Sequence, residues 1–157
     1  MKEKFQKLPL RNGVGIAVLN KENKIFVAKR IDNPADFWQM PQGGIDEGEN
    51  YFDAALRELK EETSIKTVEL IKEISKYTTY DLPDRLLGII WKGKYKGQRQ
   101  KWFLYKFNGT DKDINIHTEH PEFSDYKWVS KDFLVPNIVP FKKEIYEKLL
   151  LEFKDYL

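Results

Sequence analysis

The chain has 157 residues, 41% hydrophobic, 33% charged and 14% aromatic, with a formal net charge of +2. That length suits one domain able to bury its own core, and the composition is that of a folded chain rather than a disordered one. The absence of cysteine excludes disulfides, thiolate metal sites and cysteine nucleophiles, and the two histidines, His117 and His120, lack HExxH spacing, which leaves a hard cation held by carboxylates as the metal chemistry open to the chain.

The N-terminal "MKEKFQKLPLRNG" has no apolar stretch of the signal-peptide kind, and no run approaches the ~18 apolar residues of a membrane span. A cytoplasmic protein with no membrane association is expected. "GVGIAVLN" and "KIFVAKR" flank the turn "KEN", so residues 13–30 are expected as a hairpin. "WQMPQGG" interrupts regular structure through Pro41, Gly43 and Gly44. A helix is expected from Asn50 to Thr63, with Phe52, Ala55, Leu56 and Leu59 as its buried stripe and the acidic residues on the flank and beyond. Strands are expected in "TVELIKEISKYTTY" (67–80), "QKWFLYKFN" (100–108) and "DYKWVS" (125–130), before an amphipathic helix in "FKKEIYEKLLLEFKDY" (141–156). Strands on both sides of a central helix, followed by a terminal helix, predict an α/β fold with a mixed sheet packed between helices.

The charge pattern raises two questions. Glu58, Glu61 and Glu62 fall at i, i+3 and i+4, within one wedge of a helical surface. Each like-charge pair at that spacing destabilises a helix by roughly 0.2–0.5 kcal/mol, and the nearby i,i+4 cation is Arg57, opposite Glu61. The cluster is either a solvated acidic face or a site whose charge something else compensates. Residues 92–106, "KGKYKGQRQKWFLYK", are basic, interleaved with aromatics and free of acids. They read equally as part of a polyanion site or as a lysine-rich strand edge that resists aggregation.

Extended leftward, the helix gives "GGIDEGENYFDAALRELKEETSI". Gly43 is followed after five residues by Glu49, and after seven more by Arg57, Glu58, Leu59, Lys60, Glu61 and Glu62. This resembles the Nudix box, G-x5-E-x7-R-E-U-x-E-E-x-G-U, with Leu59 and Ile65 at the bulky aliphatic positions and Ser64 where the pattern has glycine. A serine can end the helix there at some conformational cost. The resemblance implies a Nudix α/β/α sandwich that hydrolyses phosphoanhydride bonds with Mg²⁺, for which Mn²⁺ or Zn²⁺ can substitute. Glu58, Glu61 and Glu62 would ligate the metal, and Glu58 would also orient or deprotonate the attacking water. Glu49 and Arg57 would be a supporting pair. Gly43 and Gly44 would form the turn feeding the helix, with the Gly43 carbonyl offered to a metal.

"LRNGVGIAVLN", "FWQMPQGGI", "GQRQKWFLYKF" and "PEFSDYKWVS…VPFKKEIYEKLLLEF" resemble the bacterial branch of that family comprising RNA 5′-pyrophosphohydrolases and dinucleoside polyphosphate hydrolases. Carried over by position, Arg11 and Arg30 would contact phosphates and Gln39 would line the site. Glu122 would be a fourth metal ligand or the general base, and Phe141 would stack on a purine beside Lys142. The expected partner is a nucleotide polyphosphate or a 5′-triphosphorylated RNA, with no DNA, no membrane and no obligate protein partner, on a monomer. Two rival readings stand beside it: hydrolysis of free or oxidised nucleoside triphosphates, and a nucleotide-sensing module without catalysis.

Overall fold

The computed structural model describes residues 3–33 and 35–157; Met1, Lys2 and Pro34 lie outside them, and with Met1 and Lys2 the first positions of the N-terminal reading. Strands β1 (Leu10–Leu19) and β2 (Ile25–Arg30) form the expected hairpin, paired at Leu19↔Ile25. Its turn is fixed by Asn20, whose side chain accepts from the Glu22 and Lys24 backbone N–H groups at 3.0 and 2.9 Å. Away from the turn the two strands part. The chain from Trp38 onward fills the gap: Gln39 bridges to Ala28, Ile16 donates to the Pro41 carbonyl, and β3 (Gln42–Gly44) pairs with β1 from Gly15 to Gly13. The segment expected to interrupt regular structure is therefore a short strand. Pro41 is tolerated because only its carbonyl enters the ladder.

The remaining strands are β4 (Val68–Glu73), β5 (Thr78–Asp81), β6 (Gly97–Phe107) and β7 (Phe123–Val129). The single strand expected over 67–80 is two, both antiparallel to β6. The sheet order is β4-β6-β1-β2-β7, with β1 and β6 parallel in unbroken register from Leu10↔Gly97 to Leu19↔Lys106.

Alternation along β1 and β6 feeds two cores. Val14, Ile16, Val18, Phe103 and Tyr105 pack against helix α1 (Tyr51–Thr63). Ala17, Leu19, Trp102 and Leu104 pack against Ile145, Tyr146 and Leu149 of helix α3 (Lys143–Glu152), which follows the short helix α2 (Leu134–Asn137) and a 3₁₀ turn at Pro140–Lys142. The result is the expected α/β sandwich with a mixed sheet between helices. The closing helix starts two residues later than the sequence suggested, because the 3₁₀ turn takes Phe141 and Lys142.

Helix α1 begins at the N-cap Asn50, whose side chain accepts from the Asp53 N–H at 2.8 Å. Its buried face differs from the expected stripe. Ala55 and Leu59 are buried, and full burial of a leucine contributes about 2 kcal/mol. Phe52, however, is 42% exposed, its ring edge-on to Phe103 with centroids 6.1 Å apart, and Leu56 is half-buried. Ala54, Glu62 and Thr63 take up the buried surface instead. Small alanines let the helix lie close to the sheet, which turns Glu62 inward rather than onto the flank.

Helix α1 ends on Ser64 at φ 66°, in the left-handed conformation that the glycine of the Nudix box would supply. The serine offsets that cost by donating its hydroxyl to the Asn115 carbonyl at 2.9 Å.

Candidate active site

Glu58 and Glu62 lie one turn apart on α1 and face the same cavity as β3. Glu62 is 7% exposed, and its Oε2 has no hydrogen-bond partner among the described residues. Burial, then the neighbouring Glu58, pushes the Glu62 carboxyl well above the usual carboxylate range. Burial also raises Glu58, with Arg57 opposing the rise. A buried carboxylate such as Glu62, with one oxygen unpartnered among the described residues and Glu58 beside it, requires a proton or a cation.

Arg57 organises the approach. Its Nε and Nη2 grip Glu49 bidentately at 2.8 and 2.9 Å, Nη2 also donates to the Gly44 carbonyl at 2.9 Å, and Nη1 reaches Glu58 and Glu61 at 3.0 and 3.1 Å. The guanidinium holds Glu49 below the usual carboxylate range and thereby ties α1 to the loop before it and to β3. Glu61 is placed differently from its two neighbours: its side chain is 59% exposed, pairs with Arg57 and is not part of the cavity wall.

The two glycines of β3 are there for space. A Cβ on Gly43 would occupy the position of the Glu58 carboxyl, and one on Gly44 would collide with the Arg11 guanidinium. Neither has the positive φ of a tight turn; that conformation falls to Gly48 at φ 79°. Strand alternation also sorts the carbonyls. The Pro41 carbonyl accepts from Ile16 of β1, so Gly43, two residues on, also faces β1, whereas Gln42 and Gly44 face the other way, as the Gly44 bond to Arg57 shows.

The cavity beside this cluster, about 740 Å³, is also lined by Arg11, Arg30, Gln39, Glu122, Phe141 and Lys142. Arg30 binds Asp32 bidentately, both contacts at 2.8 Å, and reaches Glu122 at 3.4 Å. Phe141 leans on Tyr80 with ring centroids 5.7 Å apart, and the Lys142 ammonium lies 5.3 Å from the Tyr80 ring. Burial, reinforced by Arg30, pushes Lys142 down from 10.5 to about 7. On another part of the wall, the Arg11 guanidinium sits over the Trp91 ring at 5.1 Å.

The structure thus brings together, on one cavity, Glu58, Glu62, Glu122, Gly43, Arg11, Arg30, Gln39, Phe141 and Lys142, while Glu49, Arg57 and Glu61 stand behind its wall. Sequence reading missed Asp32, Gln42, Tyr80 and Trp91. Asp32 was accessible as an acid two residues from Arg30, and Trp91 as an aromatic between Gly88 and Gly93.

The donor set fits a hard divalent cation. Oxygen donors are the right kind, Glu62 Oε2 lacks a partner among the described residues, and the Gln42 carbonyl faces away from β1. No three acidic or imidazole side chains converge among the described residues. The protein would supply a partial shell, which is how magnesium sites that share a metal with substrate phosphates are usually built.

A carboxylate pair below a cationic, aromatic-walled cavity defines a site for polyphosphate chemistry. The chain belongs to the NUDIX domain family, whose model matches residues 9–149. Over 150 residues it is 60% identical to an RNA pyrophosphohydrolase of Pelagibacter ubique, covering 96% of this chain and 95% of that protein. It is 52% identical over 152 residues to an RNA pyrophosphohydrolase of Cereibacter sphaeroides, covering 96% and 94%. Among solved structures it resembles the E. coli dihydroneopterin triphosphate pyrophosphohydrolase, with TM-score 0.69 and 21% identity, over 93% of this chain and 99% of that one. A C. elegans Ap4A hydrolase complex aligns with TM-score 0.64 and 19% identity, over 91% and 98%. These structural likenesses show the fold.

Proposed function

We propose that this protein is a metal-dependent hydrolase that removes pyrophosphate from the 5′-triphosphate end of RNA and also cleaves dinucleoside polyphosphates. The observation that carries the reading is the Glu58–Glu62 pair, with Glu62 buried and its Oε2 unpartnered among the described residues, facing a wall of Arg11, Arg30 and Lys142. Relatives that share 60% and 52% identity over nearly the whole chain and are named RNA pyrophosphohydrolase support the choice of RNA.

Glu58, Glu62 and the Gln42 carbonyl would hold a divalent cation, with Mg²⁺ the physiological choice. Gln42 replaces Gly43 as carbonyl donor, because the Gly43 carbonyl faces β1. Glu61 would join only through a side-chain rotation that gives up its bond to Arg57. A bound divalent cation acidifies water and neutralises charge on the leaving phosphate. Arg11, Arg30 and Lys142 bind the polyphosphate. Phe141 offers a ring face to the base, an interaction worth roughly 1–3 kcal/mol. Glu122, with Arg30 3.4 Å away to hold its carboxylate, takes the proton from the attacking water. Glu49 and Arg57 position Glu58 without touching substrate.

In this reading the chain acts as a monomeric, single-domain cytoplasmic enzyme; no helix among its described residues is long and apolar enough to cross a membrane. The test is kcat/KM with Mg²⁺ on triphosphorylated RNA, diadenosine tetraphosphate and free nucleoside triphosphates, measured side by side. RNA is expected to be preferred, and a large preference for free mononucleotides would reject the assignment. Glu58→Gln is expected to abolish turnover. Unchanged turnover with weakened ligand binding would favour a nucleotide sensor instead.

A further inference from the structure

The basic stretch that begins at Lys92 has no role in the site just described, and the sheet removes one of its two readings. β6 is an interior strand, parallel to β1 on one side and antiparallel to β4 and β5 on the other, so its cations do not protect a sheet edge. Residues 86–110 contain no Asp or Glu. Lys92 and Lys94 are exposed, Lys96 and Arg99 half-buried. None of the four forms an ion pair with another described residue, whereas Lys101, further along β6, is paired with Glu73 at 3.5 Å.

The stretch starts at the cavity. Ile90 and Trp91 line the wall, and Lys92 follows directly. Trp91 and Lys92 both adopt left-handed backbone, φ 53° and 58°, between Gly88 and Gly93 at φ 77° and 71°. Non-glycine residues held there cost of order 1–3 kcal/mol each, a strain that recurs at ligand clamps as well as in turns and caps such as Asn23 and Ser64. The stretch ends at a second hollow of about 400 Å³, lined by Leu8, Pro9, Leu10, Asn12, Lys96 and Arg99. Lys96 is tethered to the Gln6 carbonyl at 3.4 Å and Arg99 to the Asn12 side chain at 3.2 Å. Asn12 follows Arg11 on β1 with its side chain on the opposite face of the sheet, so the hollow, at the Leu10–Gly97 end of the β1–β6 pair, lies around that end from the cavity. Trp91 and Tyr95, with rings 6.2 Å apart, interleave the lysines in the pattern of single-strand binders.

We propose that Lys92, Lys94, Lys96 and Arg99 form a track for single-stranded RNA downstream of the reacting 5′ end, with the second hollow receiving its backbone. The inference rests on the RNA reading above and extends it to nucleotides outside the cavity.

The test uses the full chain and a Lys92→Gln, Lys94→Gln, Lys96→Gln triple variant, binding a 20-nucleotide 5′-monophosphorylated single strand across a salt series by fluorescence anisotropy. Each phosphate contact contributes about 0.7 to the slope of log affinity against log salt, so losing three lowers the slope by about 2. The affinity lost between 50 and 200 mM salt then shrinks about 16-fold in the variant. Turnover of a free nucleoside triphosphate, which has no phosphate downstream of its 5′ end, is expected to stay within about twofold of the original chain. An unchanged slope, or an equal loss on the free nucleoside triphosphate, overturns the track. Track-dependent RNA binding by a chain that spares triphosphorylated RNA overturns the substrate reading and leaves the track standing.

Discussion

A carboxylate 7% exposed, with one oxygen lacking a partner among the described residues, costs folding energy whenever it is ionised. Because the Glu62 carboxyl is raised in the fold, the protonated form contributes stability below the ordinary value of 4.5, and that stability is lost as pH rises through the folded value. Glu62→Gln removes both the charge and its repulsion of Glu58. With metal chelated at pH 8, the variant is expected to melt a few degrees higher than the original chain, since 1 kcal/mol is about 2–4 °C at this size. Adding Mg²⁺ is expected to raise the Tm of the original chain and leave the variant unmoved; a variant that melts lower without metal rejects the burial argument. Ser64 permits a second test. Ser64→Ala keeps the left-handed strain of about 1 kcal/mol and loses the bond to Asn115, so it is expected to melt lower than Ser64→Gly, which sheds the strain. At this scale the sequence was informative wherever a residue acts through its own chemistry. The crowding of Glu58, Glu61 and Glu62 announced a carboxylate site, and the departure at Ser64 announced a strained cap. Burial was not announced, and it separates Glu62 from Glu61.

Among the elements, α1 was readable because its caps and periodicity are local, and its ends fell where Asn50 and Ser64 put them. Its buried face was displaced because the choice between Phe52 and Ala54 depends on how near the sheet lies, a tertiary quantity. β3 was unreadable because Pro41, Gly43 and Gly44 all argue against a strand locally. It forms because β1 and β2 part and leave unpaired edges that a neighbouring chain must satisfy. The glycines then act through what they make room for, and the two should be separable. Gly43→Ala pushes into Glu58 and is expected to lower kcat about 100-fold, the usual effect of a displacement near 1 Å in a catalytic group. Gly44→Ala pushes into Arg11 and is expected mainly to raise KM for diadenosine tetraphosphate. Equal effects on both parameters in both variants would show that β3 supports the site only as a whole.

At the scale of the molecule, the cavity exists because residues distant in sequence share one sheet. The parallel pairing of β1 with β6 joins segments about ninety residues apart, and no local pattern encodes it. That pairing brings β5 and the 3₁₀ turn before α3 to the cavity, so that Phe141 and Lys142 meet Tyr80 opposite the carboxylates. Their identities were recoverable by resemblance; their burial was not. The burial makes Lys142 a titrating group, pushed down from 10.5 to about 7. In the free protein, stability from the neutral amine is present at high pH and lost as pH falls through about 7. Polyphosphate reverses the preference, because anionic oxygens favour the ammonium. Above pH 7, binding must therefore recharge Lys142 at the expense of affinity, by at most a factor of ten per pH unit. KM for diadenosine tetraphosphate is expected to be flat from pH 6 to about 7 and to climb from there to pH 9. In Lys142→Arg, which stays cationic throughout, the climb is expected to disappear while kcat keeps its own pH dependence. A KM that climbs equally in both proteins would place the titrating group elsewhere on the cavity wall.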